Sequence, residues 1–238
     1  MDVLTKMNLG PQKLVLFEGV YQPTVGHLIS IIPHVYRIWH LEVDIMPYKK
    51  NHYSWVNLLH FTASGDNYGR AGDRMPLISL YPGENILHIA CYINNEVSYA
   101  YDSDYVLPMH RWTKLEIGQT FLRGQFVYYV KLNGKQVYSI INRYPMDFYN
   151  MMVYGNDPWS KSPNAKLRDL SFTTSWGPNI VSVLSPIEGG NYHSDGLDKI
   201  SDKTGEFDAI EGTGSPVGRA GAPDETTAAP TEATDYEE

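Results

Sequence analysis

The sequence predicts an all-β fold: a two-sheet antiparallel β-sandwich over residues 1–181, followed by a mostly disordered, acid-rich tail over 182–238. Three observations predict it. Short runs alternate apolar and polar residues with the period of two that a pleated strand imposes, as in 37–46 (RIWHLEVDIM) and 126–131 (FVYYVK). Gly, Pro and Asn punctuate these runs where turns belong. No stretch carries the 3.6-residue period of an amphipathic helix.

In chain order, 13–17 (KLVLF) is a short strand, 19–26 a loop containing Pro23, and 27–32 a second strand. The run 37–46 alternates most cleanly. Ile38, His40, Glu42 and Asp44 share one face, while Trp39, Leu41, Val43 and Ile45 share the other, which must be core. Pro47 stops it, because proline cannot donate to a sheet ladder. The next strand is 55–62, and 63–75 (ASGDNYGRAGDRM) is a glycine-rich polar loop. Strands at 77–81, 86–93 and 97–101 follow, separated by Pro82-Gly83 and Asn94-Asn95. Residues 102–110 are a loop. The stretch 111–155 reads as strand, turn, strand, hairpin, strand, loop, strand. Asn133-Gly134 tolerates positive φ at both central positions and so closes a two-residue hairpin. A polar loop at 156–164 and a last strand at 166–173 complete about a dozen strands, the number a sandwich or barrel requires.

Composition narrows the function classes. The formal net charge of −8 disfavours nucleic acid, whose affinity comes from Lys and Arg on phosphates. The single cysteine, Cys91, excludes an intrachain disulfide and any metal site built from several thiolates. No apolar run is long enough to span a membrane, and residues 1–14 lack the apolar segment of a signal peptide. From Ser182 the chain turns to Gly, Ser, Thr, Pro, Ala and acid, which cannot bury enough apolar area to offset ordering entropy.

Several residue sets could carry chemistry. Glu42 and Asp44, at i and i+2, put two carboxylates on one strand face about 6.7 Å apart, within reach of paired acid/base work on a glycosidic bond. Asp66, Asn67 and Asp73 on one loop offer the hard oxygen ligands that Ca²⁺ takes, although without EF-hand spacing. Arg70 and Arg74 in the same loop can pair with those acids or with a ligand. Trp159, Tyr68, Tyr105 and Tyr149 fall in expected loops; a ring face can cover the apolar side of a pyranose while Asn142, Arg143 and neighbouring polar groups bond its hydroxyls. The eight histidines form no zinc-protease pattern, and there is neither a Gly-x-Ser-x-Gly elbow nor a phosphate-binding Walker loop.

Residues 13–173 resemble the concanavalin A-like lectin/glucanase superfamily, which includes laminin-G-like, pentraxin-like and galectin-like domains. The resemblance is carried by WHLEVDIMP, RWTKLEI and FVYYVKLNGKQVYSIINRYPMDFYNMMVYG. It implies a jelly roll whose members mostly bind glycans, matrix or other proteins, often outside the cell. The Glu42-Val43-Asp44 segment resembles the start of the laminarinase-type motif, but Met46 and Pro47 stand where its closing Glu belongs. The galectin motif His-x-Asn-Pro-Arg has no match, and Trp112 is followed by Thr113-Lys114-Leu115-Glu116 rather than Gly-x-Glu.

The expectation is therefore a non-catalytic, secreted recognition module that takes glycan or an extracellular protein on loops at one edge of the sandwich. The ligand set is Arg70, Arg74, Asn142, Arg143 and Trp159, with Ca²⁺ at Asp66, Asn67 and Asp73 as the associated ion. A structural protein acting through its acidic tail, and a divergent glycoside hydrolase using Glu42 and Asp44, are the alternatives. The binding reading predicts that loops 63–75, 142–149 and 156–164 converge around a ligand-sized cleft.

Overall fold

A computed structural model describes residues 11–176; the expected tail at 182–238 lies outside them. The described chain is all β: β1 (Gln12–Tyr21), β2 (Leu28–Val35), β3 (Ile38–Pro47), β4 (Val56–Thr62), β5 (Leu77–Leu80), β6 (Ile86–Ile93), β7 (Glu96–Val106), β8 (Thr113–Leu122), β9 (Gln125–Leu132), β10 (Lys135–Asn142), β11 (Phe148–Tyr154) and β12 (Ala165–Ser175). They form two six-stranded sheets, ordered β1-β12-β3-β8-β9-β10 (sheet A) and β2-β11-β4-β5-β6-β7 (sheet B). Every pairing within the sheets is antiparallel. The two-sheet antiparallel sandwich that the sequence predicts is the fold observed.

Alternation decides which side chains meet between the sheets. Trp39, Leu41, Val43 and Ile45 of β3 all point inward and are at most 1% exposed. They meet Phe172 and Leu170 of β12, Ile117 of β8, and Phe61, Leu87 and Ile89 of sheet B in one buried cluster. Phe172 joins the layers, with its ring centroid 6.1 Å from Trp39 and 5.5 Å from Phe61. The Asn133-Gly134 hairpin is present with φ of 50° and 79°, and Arg123-Gly124 (48°, 83°) turns the chain between β8 and β9 in the same way.

Two boundaries differ from the sequence reading. β7 continues to Val106, through residues expected to be loop. Its partner β6 holds it there, with Ile86 opposite Val106 and His88 opposite Asp102. β2 runs through Pro33 to Val35. It lies at the edge of sheet B, where a residue without an N–H is tolerated.

Candidate functional site

Two of the three expected loops meet, and they meet on a buried histidine. His60 of β4 is fully buried on the outer face of sheet B. Its Nε2 donates to the carbonyl of Asp73 at 2.6 Å, and its Nδ1 lies 3.1 Å from Asp157 Oδ2. Loop 63–75 thus reaches it from one side and loop 156–164 from the other. Asp157 also accepts from Asn57, from the Ser160 hydroxyl (2.8 Å) and from the backbone N–H groups of Trp159 (3.1 Å) and Ser160 (3.0 Å). Burial alone would raise its carboxyl, but hydrogen bonds from His60 and Ser160 outweigh that and hold it below the usual range.

The expected ligand residues divide into anchors and exposed groups. Asp73 is completely buried and accepts from the Ser64 hydroxyl and, at 2.7 Å, from the Arg70 backbone N–H. Asp66 Oδ1 accepts the Asn67 backbone N–H at 2.7 Å, and Asn67 Oδ1 is buried without a hydrogen-bond partner. The Arg74 guanidinium donates to the Asn67 carbonyl (3.1 Å) and the Ser98 hydroxyl (2.6 Å) and lies over the Tyr68 ring. Asn142 is buried; its Oδ1 accepts from Asn94 and Tyr144, and its Nδ2 donates to Gln119. Arg70 and Arg143 are exposed, and Trp159 is 49% exposed with its ring against His60. Loop 142–149 touches this group through Phe148, whose ring packs where a Cβ on Gly72 would be.

The outer face of sheet A is built differently. Strand register lines up three polar rows. Ser171, Glu42, Glu116 and Lys131 form the first, on β12, β3, β8 and β9. Thr173, His40, Gly118 and Tyr129 form the second, and Arg168, Asp44 and Lys114 the third. Asp44 is held by two hydrogen bonds from Arg168, whose guanidinium lies 4.5 Å from the Trp112 ring centroid. The carboxylate set beside Glu42 across the strands is therefore Glu116.

His40 is only 3% exposed. Its Nδ1 is hydrogen-bonded to the Tyr129 hydroxyl at 2.8 Å and its Nε2 to Glu42 Oε1 at 3.0 Å. That hydrogen bond, with further pull from Lys114 and Lys13, outweighs burial and holds the Glu42 carboxyl down at about 2. Burial, with Glu116 and Glu42 nearby, pushes the Tyr129 hydroxyl up, so it stays protonated. Gly118 makes this packing possible: a Cβ there would sit 2.7 Å from both the Tyr129 hydroxyl and the Trp39 carbonyl.

Beside Glu42 an open groove of about 350 Å³ runs along β1 and β12. Apolar Val15, Phe17 and Leu170 line it together with Lys13, Glu18, Glu42, Asp169 and Ser171. Irregular pairing between Val15 and Val20 opens the edge, and a hydrogen bond from the Gly19 backbone N–H to Asp169 Oδ1 (2.7 Å) fixes the opening. Apart from Glu42, sequence reasoning missed these residues. Alternation assigns Lys13 and Val15 to one face, but no local signal says that residue 171 lies beside 42 or that the β1 edge parts here.

No family model matches the chain, and no curated protein does. Solved structures do. A heptameric pentraxin from Limulus polyphemus is similar at 14% identity and a TM-score of 0.45, over 71% of this chain and 82% of that one. A carbohydrate-binding module from Bacillus subtilis is similar at 9% and 0.38, over 67% and 94%. A galectin from Caenorhabditis elegans is similar at 10% and 0.36, over 65% and 95%.

Proposed function

We propose that the protein is a glycan-recognition module and that the ligand lies in the groove on the outer face of sheet A. The observation that carries this reading is the lining of that groove. A pyranose presents apolar C–H faces and a rim of hydroxyls. A floor in which exposed Val15 and half-buried Phe17 sit among Lys13, Glu18, Asp169 and Ser171 matches both at once. The volume of about 350 Å³ falls at the lower end of the range for small-ligand sites, enough for one or two sugar rings. A glycan displayed outside the cell, free or on a protein, is the partner class this reading implies.

The test is a glycan array followed by titration calorimetry on the full chain, with and without Ca²⁺. Phe17→Ala and Asp169→Ala are expected to weaken binding by about tenfold or more, the loss of roughly 1.4 kcal/mol of contact. Trp159→Ala, in the loop that packs on His60 of sheet B, should leave it unchanged. The absence of any glycan ligand, or binding that depends on Trp159 and not on Phe17, would overturn the groove as the site. A Ca²⁺ requirement abolished by Asp66→Asn would instead bring loop 63–75 into the site.

A further inference from the structure

The outer face of sheet A carries a second group that shares only Glu42 with the groove. A ring nitrogen of His40, a Glu42 carboxylate oxygen and a Glu116 carboxylate oxygen all lie within 4.8 Å of one another, and Nε2 is the nitrogen that faces Glu42. Glu42 and Glu116 are directly opposed on β3 and β8. Like charges in that position destabilise a sheet unless something positive lies between them. Glu42 has two partners, His40 at 3.0 Å and Lys114 at 3.5 Å. Glu116 has none: among the described residues no cationic group comes within 4.0 Å of its carboxylate. Lys131, opposite it on β9, lies over the Tyr129 ring.

From this arrangement we propose a divalent transition-metal site, most naturally for Zn²⁺, with His40 Nε2, Glu42 and Glu116 as protein ligands and the fourth position open to water. The donor set of one imidazole and two carboxylates suits Zn²⁺, whereas Ca²⁺ and Mg²⁺ take all-oxygen shells. The buried ligand is already positioned. The hydrogen bond between Nδ1 and the hydroxyl of Tyr129, a residue only 6% exposed, orients the ring and leaves Nε2 facing the acids. A tetrahedral site with bonds near 2.0–2.1 Å needs ligand atoms roughly 3.3 Å apart. His40 and Glu42 already meet that spacing. The half-buried Glu116 closes the remainder by a side-chain rotation. Lys114, with 46% of its side chain exposed, swings out to solvent when the metal takes its place on Glu42.

The experiment uses metal-free full-length protein and ZnCl₂ alone, so its outcome is independent of any glycan. Titration calorimetry is expected to show one Zn²⁺ per chain, and Co²⁺ should develop the visible absorption of a four-coordinate N/O site. Glu116→Gln should weaken Zn²⁺ binding by about 10–100-fold while circular dichroism stays unchanged. Tyr129→Phe, which touches no metal, should weaken it by a smaller factor through the loss of ring orientation. Asp44→Asn, an acid on the same face outside the trio, should leave affinity unaltered. The proposal fails if Zn²⁺ does not saturate at one equivalent. It fails equally if Glu116→Gln binds as tightly as the unaltered protein, or if Asp44→Asn lowers affinity as much as Glu116→Gln does.

Discussion

His60 faces an acceptor with each ring nitrogen, a carbonyl at Nε2 and a carboxylate at Nδ1. Both side chains of this His60–Asp157 contact are 0% exposed. Removing Asp157 leaves buried donors such as Asn57 without their acceptor, at about 1–3 kcal/mol for an unsatisfied group. Asp157→Ala is expected to lose stability in that range in urea unfolding, with loops 63–75 and 156–164 becoming the first sites of proteolytic cleavage. The same pair sets a response to acid. The folded Asp157 carboxyl is held below its ordinary value of 3.8. Its contribution is therefore complete above about pH 4 and is lost as pH falls through the lower folded value. Unfolding free energy measured between pH 6 and pH 2 should fall for the unaltered protein, and fall less steeply for Asp157→Asn. Neither residue stood out in the sequence. His60 was one of eight scattered histidines, and Asp157 one polar residue in a loop; their pairing spans 97 residues of chain.

At the level of the strand, alternation was readable and partnership was not. The face of β3 that carries His40, Glu42 and Asp44 was evident from RIWHLEVDIM alone, as was the hairpin at Asn133-Gly134. That Glu42 faces Glu116, while Arg168 occupies Asp44, depends on inter-strand register, and a slip of two residues would preserve every hydrophobic position and alter all of these pairs. Gly118 illustrates the same limit. In sequence it is an unremarked glycine inside a strand; in the sheet it is the space that admits the Tyr129 hydroxyl to His40. Gly118→Ala is expected to destabilise the protein by about 1–3 kcal/mol, since the Trp39 carbonyl is fixed in the ladder and cannot retreat. Thermal unfolding of Gly118→Ala alone and with Tyr129→Phe checks this; the second change should recover little, because the backbone clash persists.

Across the whole molecule, sheet A is assembled from the two ends of the described chain. β12 enters between β1 and β3, so Arg168 reaches Asp44 across 124 residues. Contacts of that separation place the domain among slow-folding topologies, with refolding expected in milliseconds to seconds rather than microseconds. Stopped-flow tryptophan fluorescence, with Trp39 fully inside the core as the reporter, measures it directly. A microsecond phase accounting for the full signal would contradict this assignment.

The two sheets also treat their outer surfaces differently. Loops cover His60 and Asn57 on sheet B, whereas sheet A leaves Lys13, Lys114 and Val15 open to solvent. Side chains on that open face are carried by backbone pairing and not by the core beneath. Over evolutionary time, positions such as 13, 15 and 114 are therefore free to be exchanged one at a time at little structural cost. A scaffold of this kind can acquire a new ligand without first having to acquire a new fold.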